Sequence, residues 1–221
     1  EEKMKNFFID LKRHFLTGIS YMIPLVIAGA VIMGIARIGS SFYGIQDIWD
    51  ASHTQSAHAL VRLFHTMDGI GGLALGLMLP FIAGFIAYSI IDKPGIVPGF
   101  VAGLLAKDMN TGFIGALVAG VLAGYIVKLI LDKIQLPDFA SGITAIFLAP
   151  VLGTLITCLI MVYIIGVPIA NLNKALEVWL TGMSGTNKIV LAAIVGGMVG
   201  FDLGGPVNKA AVTTAMALLA S

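Results

Sequence analysis

The chain has 221 residues, of which 58% are hydrophobic and 11% charged, and its net charge is +1. A soluble domain carries about 25% charged residues, so 13 basic and 12 acidic side chains make too thin a shell for a soluble globule. Disorder is excluded by the apolar content, and a near-neutral chain offers no nucleic-acid surface. A mean hydropathy of +0.98 points instead to a multi-pass membrane protein.

A bilayer crossing needs roughly 20 mainly apolar residues, because in lipid the backbone must satisfy its own hydrogen bonds. Phe15 to Ala36 meets that requirement, between Lys12-Arg13-His14 and Arg37. Ala28-Gly29-Ala30 resembles a signal-peptide cleavage site, but the apolar run continues to Ala36, which favours a retained helix. The second expected span is Gly69 to Ile91, closed by Asp92-Lys93-Pro94-Gly95. Gly112 to Leu131 and Ile143 to Gly166 are two more. Ile96 to Ala106 is shorter and would rise only about 16 Å as a helix. It is either a short span extended through Lys107 to Asn110 or a re-entrant segment.

Lys3, Lys5, Lys12 and Arg13 crowd the first residues, whereas the loop from Arg37 to Asp68 carries only Arg37 and Arg62. Positive charge marks the cytoplasmic side, so a cytoplasmic N-terminus is expected. If the short segment spans, Lys128 and Lys133 face the cytoplasm too; if it re-enters, Lys174 and Lys188 do.

Val167 to Gly182 changes character. Leu172, Leu176 and Leu180 fall four apart, with Asn171, Asn173, Lys174 and Glu177 between them. This pattern predicts an interfacial amphipathic helix with Trp179 at headgroup level, or a plain connecting helix. Beyond it, two apolar arms, Ile189 to Phe201 and Ala210 to Ala220, flank a polar Gly-Gly-Pro break, as in discontinuous membrane helices. The expected fold class is all-α, a polytopic helical membrane protein with an interfacial amphipathic helix and broken or re-entrant helices. Both ends are expected to be cuts in a longer chain, because Glu1 is no initiating methionine and Ser221 follows an unfinished apolar run.

Small residues recur at four-residue spacing in three ridges: Gly95, Gly99, Gly103; Ala116, Gly120, Gly124; and Gly196, Gly200, Gly204. Such ridges let membrane helices approach closely. Gly69-Ile70-Gly71-Gly72-Leu73-Ala74 imitates a dinucleotide fingerprint, but it opens an apolar run where a strand–turn–helix is required. His53, His58 and His65 lie in the first loop with loosely spaced carboxylates, and they read as a solvated loop helix in preference to a metal site. Cys158, the single cysteine, sits in an apolar run and reads as a small buried hydrophobe, without the positive neighbour that a reactive thiol needs.

The chemistry concentrates in Phe201-Asp202-Leu203-Gly204-Gly205-Pro206-Val207-Asn208-Lys209. An ionisable residue at membrane depth is expensive and usually faces a cavity or a partner. Asp202 and Lys209 flank a helix break that frees backbone donors and acceptors, a mixed set of groups suited to a polyol such as a sugar. The competing reading is a structural Asp202–Lys209 pair that staples a kink.

That stretch, continued by Ala210-Ala211, resembles a signature of the fructose-type membrane subunit (enzyme IIC) of the bacterial sugar phosphotransferase system. Pro98-Gly99-Phe100-Val101-Ala102-Gly103, Gly112 to Ala116, Gly120 to Tyr125 and His14 to Pro24 resemble earlier blocks of the same family. The resemblance implies a homodimer in the bacterial cell membrane. It implies scaffold and dimerisation helices over 1–166, an amphipathic crossover helix over 167–186, and the start of a substrate-binding domain over 187–221. Five N-terminal spans follow, with the crossover helix on the outer face. The implied activity is inward translocation of a fructose-like sugar, coupled to phosphorylation by a IIB domain that carries phosphocysteine. Asp202, Asn208 and Lys209 become sugar-contact candidates, and Gly204, Gly205 and Pro206 shape the backbone around them. No cofactor is implied. The family's Gly-Ile-Thr-Glu-type loop is absent from these residues, so no catalytic residue is assigned, the chain alone is expected to be inactive, and the catalytic carboxylate is expected beyond Ser221. Fructose is the default substrate, with mannosylglycerate and other hexoses open. A secondary transporter or channel with the same broken-helix site, and a purely structural scaffold, are the other readings.

Overall fold

A computed structural model describes residues 2–134 and 141–182, together with 193, 196 and 197. Every element among them is helical. Helix α1 covers Glu2–Ser41, α2 Ala59–Gly76, α3 Met78–Ile91, α4 Lys93–Asp108 and α5 Gly112–Lys133. After α6, Ser141–Ile143, come a π-helical turn over Thr144–Leu148, α7 over Ala149–Ile160, a second π-helical turn over Met161–Ile165, and α8 over Gly166–Gly182. Four stretches are long and apolar enough to cross a bilayer: Met4–Ser41, Ala59–Ile91, Gly112–Lys133 and Thr144–Ile169. The all-α membrane fold expected from composition is therefore present, and the dinucleotide-like glycines lie inside α2.

Three boundaries differ from expectation. The first span, expected over Phe15 to Ala36, runs from Met4 to Ser41 inside the unbroken helix α1. The second span begins ten residues earlier than Gly69 and is broken at Leu77 into α2 and α3. Pro80 explains the break: it has no N–H to offer the carbonyl of Gly76, and its ring crowds that position. The amphipathic segment is helical, as α8, but it follows the fourth span through the π-helical turn without interruption. Residues 183–186, the end of the expected crossover segment, lie outside the described residues.

The described residues form two compact units, one built from the chain start to Gly18 and from Leu79 onward, the other from Ile19–Met78. In the first unit the core is a stack of small residues. α3 buries Leu79, Ile82, Ala83, Gly84, Ile86 and Ala87. α4 returns antiparallel along it, so that a side-chain carbon at Gly95, Gly99 or Gly103 would lie 2.7 Å from Ala87 O, Ala83 O or Pro80 Cα respectively. α5 presents its own ridge to α3: a carbon at Gly120 would lie 2.7 Å from Ala83 O, and one at Gly124 2.6 Å from Ile90 Cδ1. Ala83 is thus pressed by bare backbone from two helices. Two of the three predicted ridges are interfaces, as close packing in lipid requires. Of the third, Gly200 and Gly204 lie outside the described residues. α7 completes the unit, with Gly153 facing Val127 and Pro98, and Val127, Ile130 and Ala149 forming a buried cluster.

The short apolar segment belongs to α4, which has 16 residues and rises about 24 Å. Because α4 is continuous and antiparallel to α3, it carries the chain from one end of this unit to the other, and α5 brings it back. A single residue, Asp92, makes the α3–α4 turn with φ 63° and ψ −151°. That region is nearly reserved for glycine and costs a residue with a side chain about 1–3 kcal/mol. Replacing Asp92 with glycine should therefore raise the unfolding temperature of the detergent-solubilised protein, whereas Asp92→Val should lower it.

In the second unit, α1 and α2 cross at bare backbone: a carbon at Gly71 would meet Gly29 O at 2.7 Å. Gly39 leaves room for the Phe64 ring.

Candidate functional site

The six residues that sequence reasoning selected, Asp202, Gly204, Gly205, Pro206, Asn208 and Lys209, lie outside the described residues. What the described residues do place is the other polar machinery of the helices, and sequence reasoning missed most of it.

In the first unit, His14 is buried on α1 beside α3. Its Nδ1 lies 2.7 Å from Ser89 Oγ. The Ser89 hydroxyl donates to Thr17 Oγ1 at 3.4 Å, and the Thr17 hydroxyl donates to the Arg13 carbonyl at 3.0 Å. With both hydroxyls donating onward, Nδ1 is the atom that donates to Ser89. This chain of donors fastens the start of the first span to α3. The same end of the unit collects Lys5, Lys12 and Arg13 of α1, Lys93 at the start of α4, and Lys128 and Lys133 near the end of α5.

In the second unit, Arg37 Nε donates to Asp68 Oδ1 at 2.7 Å, and the guanidinium lies 5.2 Å from the centre of the Trp49 ring. Asp68 is buried at 7% side-chain exposure while Arg37 is 49% exposed. The two losses should therefore differ. Arg37→Met leaves a buried carboxylate without its partner, a loss of about 3–5 kcal/mol. Asp68→Asn leaves a guanidinium that water can solvate, at about 1 kcal/mol. Thermal unfolding of the two variants checks the order, and equal losses would contradict it. The signal in the sequence was faint: two lone charges, each bounding an apolar run, separated by 31 positions.

The loop histidines are engaged by the loop itself. His65 Nδ1 donates to Ile48 O at 2.7 Å and its Nε2 lies 3.1 Å from Thr54 Oγ1. His53 Nε2 lies 3.2 Å from Asp47 Oδ1. His58 sits just before α2, and among the described residues no three His, Cys, Asp or Glu side chains group to hold a metal. Asp50 accepts the Ser52 N–H at 2.8 Å and caps the short 3-10 turn Ala51–Gln55; hydrogen bonds from Ser52 hold its carboxyl below the usual range.

A helical bundle of this kind hosts many activities, so fold alone does not select one. The model of the phosphotransferase system EIIC family matches residues 16–221. The chain belongs to the EIIC family. It is 38% identical over its whole length to the 2-O-alpha-mannosyl-D-glycerate-specific EIIABC component of Escherichia coli K12, covering 32% of that protein. It is 36% identical to the fructose-like permease IIC component 2 of the same bacterium, over 91% of the chain and 53% of the relative. It is 45% identical to the fructose-specific EIIB'BC component of Rhodobacter capsulatus, over 94% of the chain and 34% of the relative. The chain therefore spans about a third to a half of the length of these EIIC relatives. No solved structure matches it.

Proposed function

We propose that the chain serves in a sugar-phosphotransferase permease, where it helps carry a fructose-like sugar inward as a IIB domain phosphorylates it. The observation that carries this reading is the EIIC match over 16–221, which includes the Asp202 to Lys209 segment. Residues 1–166 would act as scaffold and dimerisation helices, 167–186 as the crossover, and 187–221 as the first part of the substrate-binding domain. In that domain Asp202, Asn208 and Lys209 bind sugar hydroxyls, while Gly204, Gly205 and Pro206 hold the backbone open to them. A carboxylate and an ammonium make charge-assisted hydrogen bonds to hydroxyl groups, and the Gly-Gly-Pro sequence between them, which breaks a regular helix, would free amide donors.

The N-terminus is assigned to the cytoplasm because Lys5, Lys12 and Arg13 of α1, Lys93 of α4, and Lys128 and Lys133 of α5 lie toward one end of the first unit, against Lys107 at the other. Fructose is the first candidate, in keeping with relatives named for fructose, and mannosylglycerate, for which another relative is named, is the second. A direct test uses the intact protein in membranes with a IIB domain phosphorylated on its cysteine. The phosphocysteine should be discharged only when both the membrane protein and its sugar are present. Sugar uptake that leaves the phosphocysteine intact would favour a secondary transporter.

A further inference from the structure

A cavity of about 490 Å³ opens where the α3–α4 turn meets the start of the fourth span. It is lined by Asp92, Lys93, Pro94, Ala145, Ile146 and Pro150. One side is a carboxylate beside an ammonium, both exposed, and neither side chain has an ion-pair or hydrogen-bond partner among the described residues. The other side is apolar and continues outward: Ile146 is 82% exposed and Phe147 60% exposed. Neither the helix packing nor the sugar site proposed above uses these groups.

We propose that this cavity is a binding site for a phospholipid with a primary-amine headgroup, of the phosphatidylethanolamine type. The charges match in pairs. The Lys93 ammonium is a strong donor to the lipid phosphate, and the Asp92 carboxylate accepts from the lipid ammonium. An acyl chain then lies along the exposed apolar surface of Ile146 and Phe147. The position suits such a ligand, because Asp92 and Lys93 close one apolar helix and open the next, the level at which headgroups sit. A purely anionic headgroup would satisfy Lys93 but would meet Asp92 as a like charge. A choline headgroup would bring a cation without N–H donors.

The test is native mass spectrometry of the full-length protein, delipidated and then titrated with phosphatidylethanolamine, phosphatidylcholine or phosphatidylglycerol of matched chains. The wild type should retain phosphatidylethanolamine on the order of tenfold better than either rival, the scale of one charge-assisted hydrogen bond. Asp92→Asn should abolish its advantage over phosphatidylcholine, and Lys93→Gln should weaken phosphatidylethanolamine and phosphatidylglycerol together. Asp92→Gly, which relaxes the turn while removing the carboxylate, should behave as Asp92→Asn does and separates lost binding from lost folding. Equal retention of the three lipids by the wild type would overturn the proposal. So would stronger retention of phosphatidylglycerol, or a preference for phosphatidylethanolamine that survives in both Asp92 variants.

Discussion

Gly120→Leu should abolish the folded protein, and even Gly120→Ala should lower its thermal stability measurably. A side-chain carbon at this position would lie 2.7 Å from the Ala83 carbonyl oxygen and 2.8 Å from Ile86 Cβ. Neither obstacle is the free end of a flexible chain, so α5 itself must move away from α3. It cannot do so cheaply, because α4 packs against both α3 and α5 and meets the same carbonyl, an added carbon at Gly99 also lying 2.7 Å from Ala83 O. Overpacking in an ordinary core costs about 1–3 kcal/mol. Here a leucine would also separate helices whose association in lipid rests on close van der Waals contact. Gly34 provides the contrast. Nothing lies within 4 Å of a carbon placed there, so Gly34→Ala should be neutral or gain up to about 1 kcal/mol of helix propensity. Yield of monodisperse protein after detergent extraction, with its unfolding temperature, checks all three variants.

The second large effect concerns the proposed sugar site. In the intact protein, Asp202→Asn should cut sugar uptake by about a hundredfold or more and Asn208→Ala by about tenfold or more. The physical reason is desolvation: a sugar hydroxyl that gives up water on binding is left unpaired when its partner is lost, a penalty of about 1–3 kcal/mol for a neutral amide and more for a charged group. Membrane insertion should be unchanged, since neither variant adds a charge or lengthens an apolar run. Equilibrium binding of labelled sugar to the purified variants separates a binding defect from a folding defect. Unchanged binding in both would remove these residues from the site and return Asp202 and Lys209 to a structural pair across a helix kink.

What was legible in the chain followed from lipid as a solvent. The span limits near Gly112, Leu131 and Ile143 were readable because charge and apolar length are one-dimensional properties. By contrast, α1 runs unbroken from Glu2 through the expected limit at Phe15, because basic residues do not themselves end a helix. The ridges on α4 and α5 were readable as interfaces for the same reason, although the sequence did not name α3 as the helix that both of them meet. The break at Leu77 escaped because hydropathy continues smoothly across it, and the cause is the backbone geometry of Pro80. The junction of the fourth span with α8 escaped because the change at Val167 is one of polarity, and polarity can change without a turn. Arg37–Asp68 and His14–Ser89 join residues 31 and 75 positions apart, a separation that no local pattern reports. The Asp202 to Lys209 segment owes its prominence to the sequence, and the EIIC family match extends across it.

One measurement bears on the central claim most directly. Membrane vesicles containing the full-length protein are loaded with phosphoenolpyruvate and the soluble phosphotransfer proteins, and labelled fructose is added outside. Labelled sugar should accumulate inside as a phosphate ester, and accumulation should stop when phosphoenolpyruvate is omitted. Accumulation of free, unphosphorylated sugar at an undiminished rate without phosphoenolpyruvate would contradict group translocation.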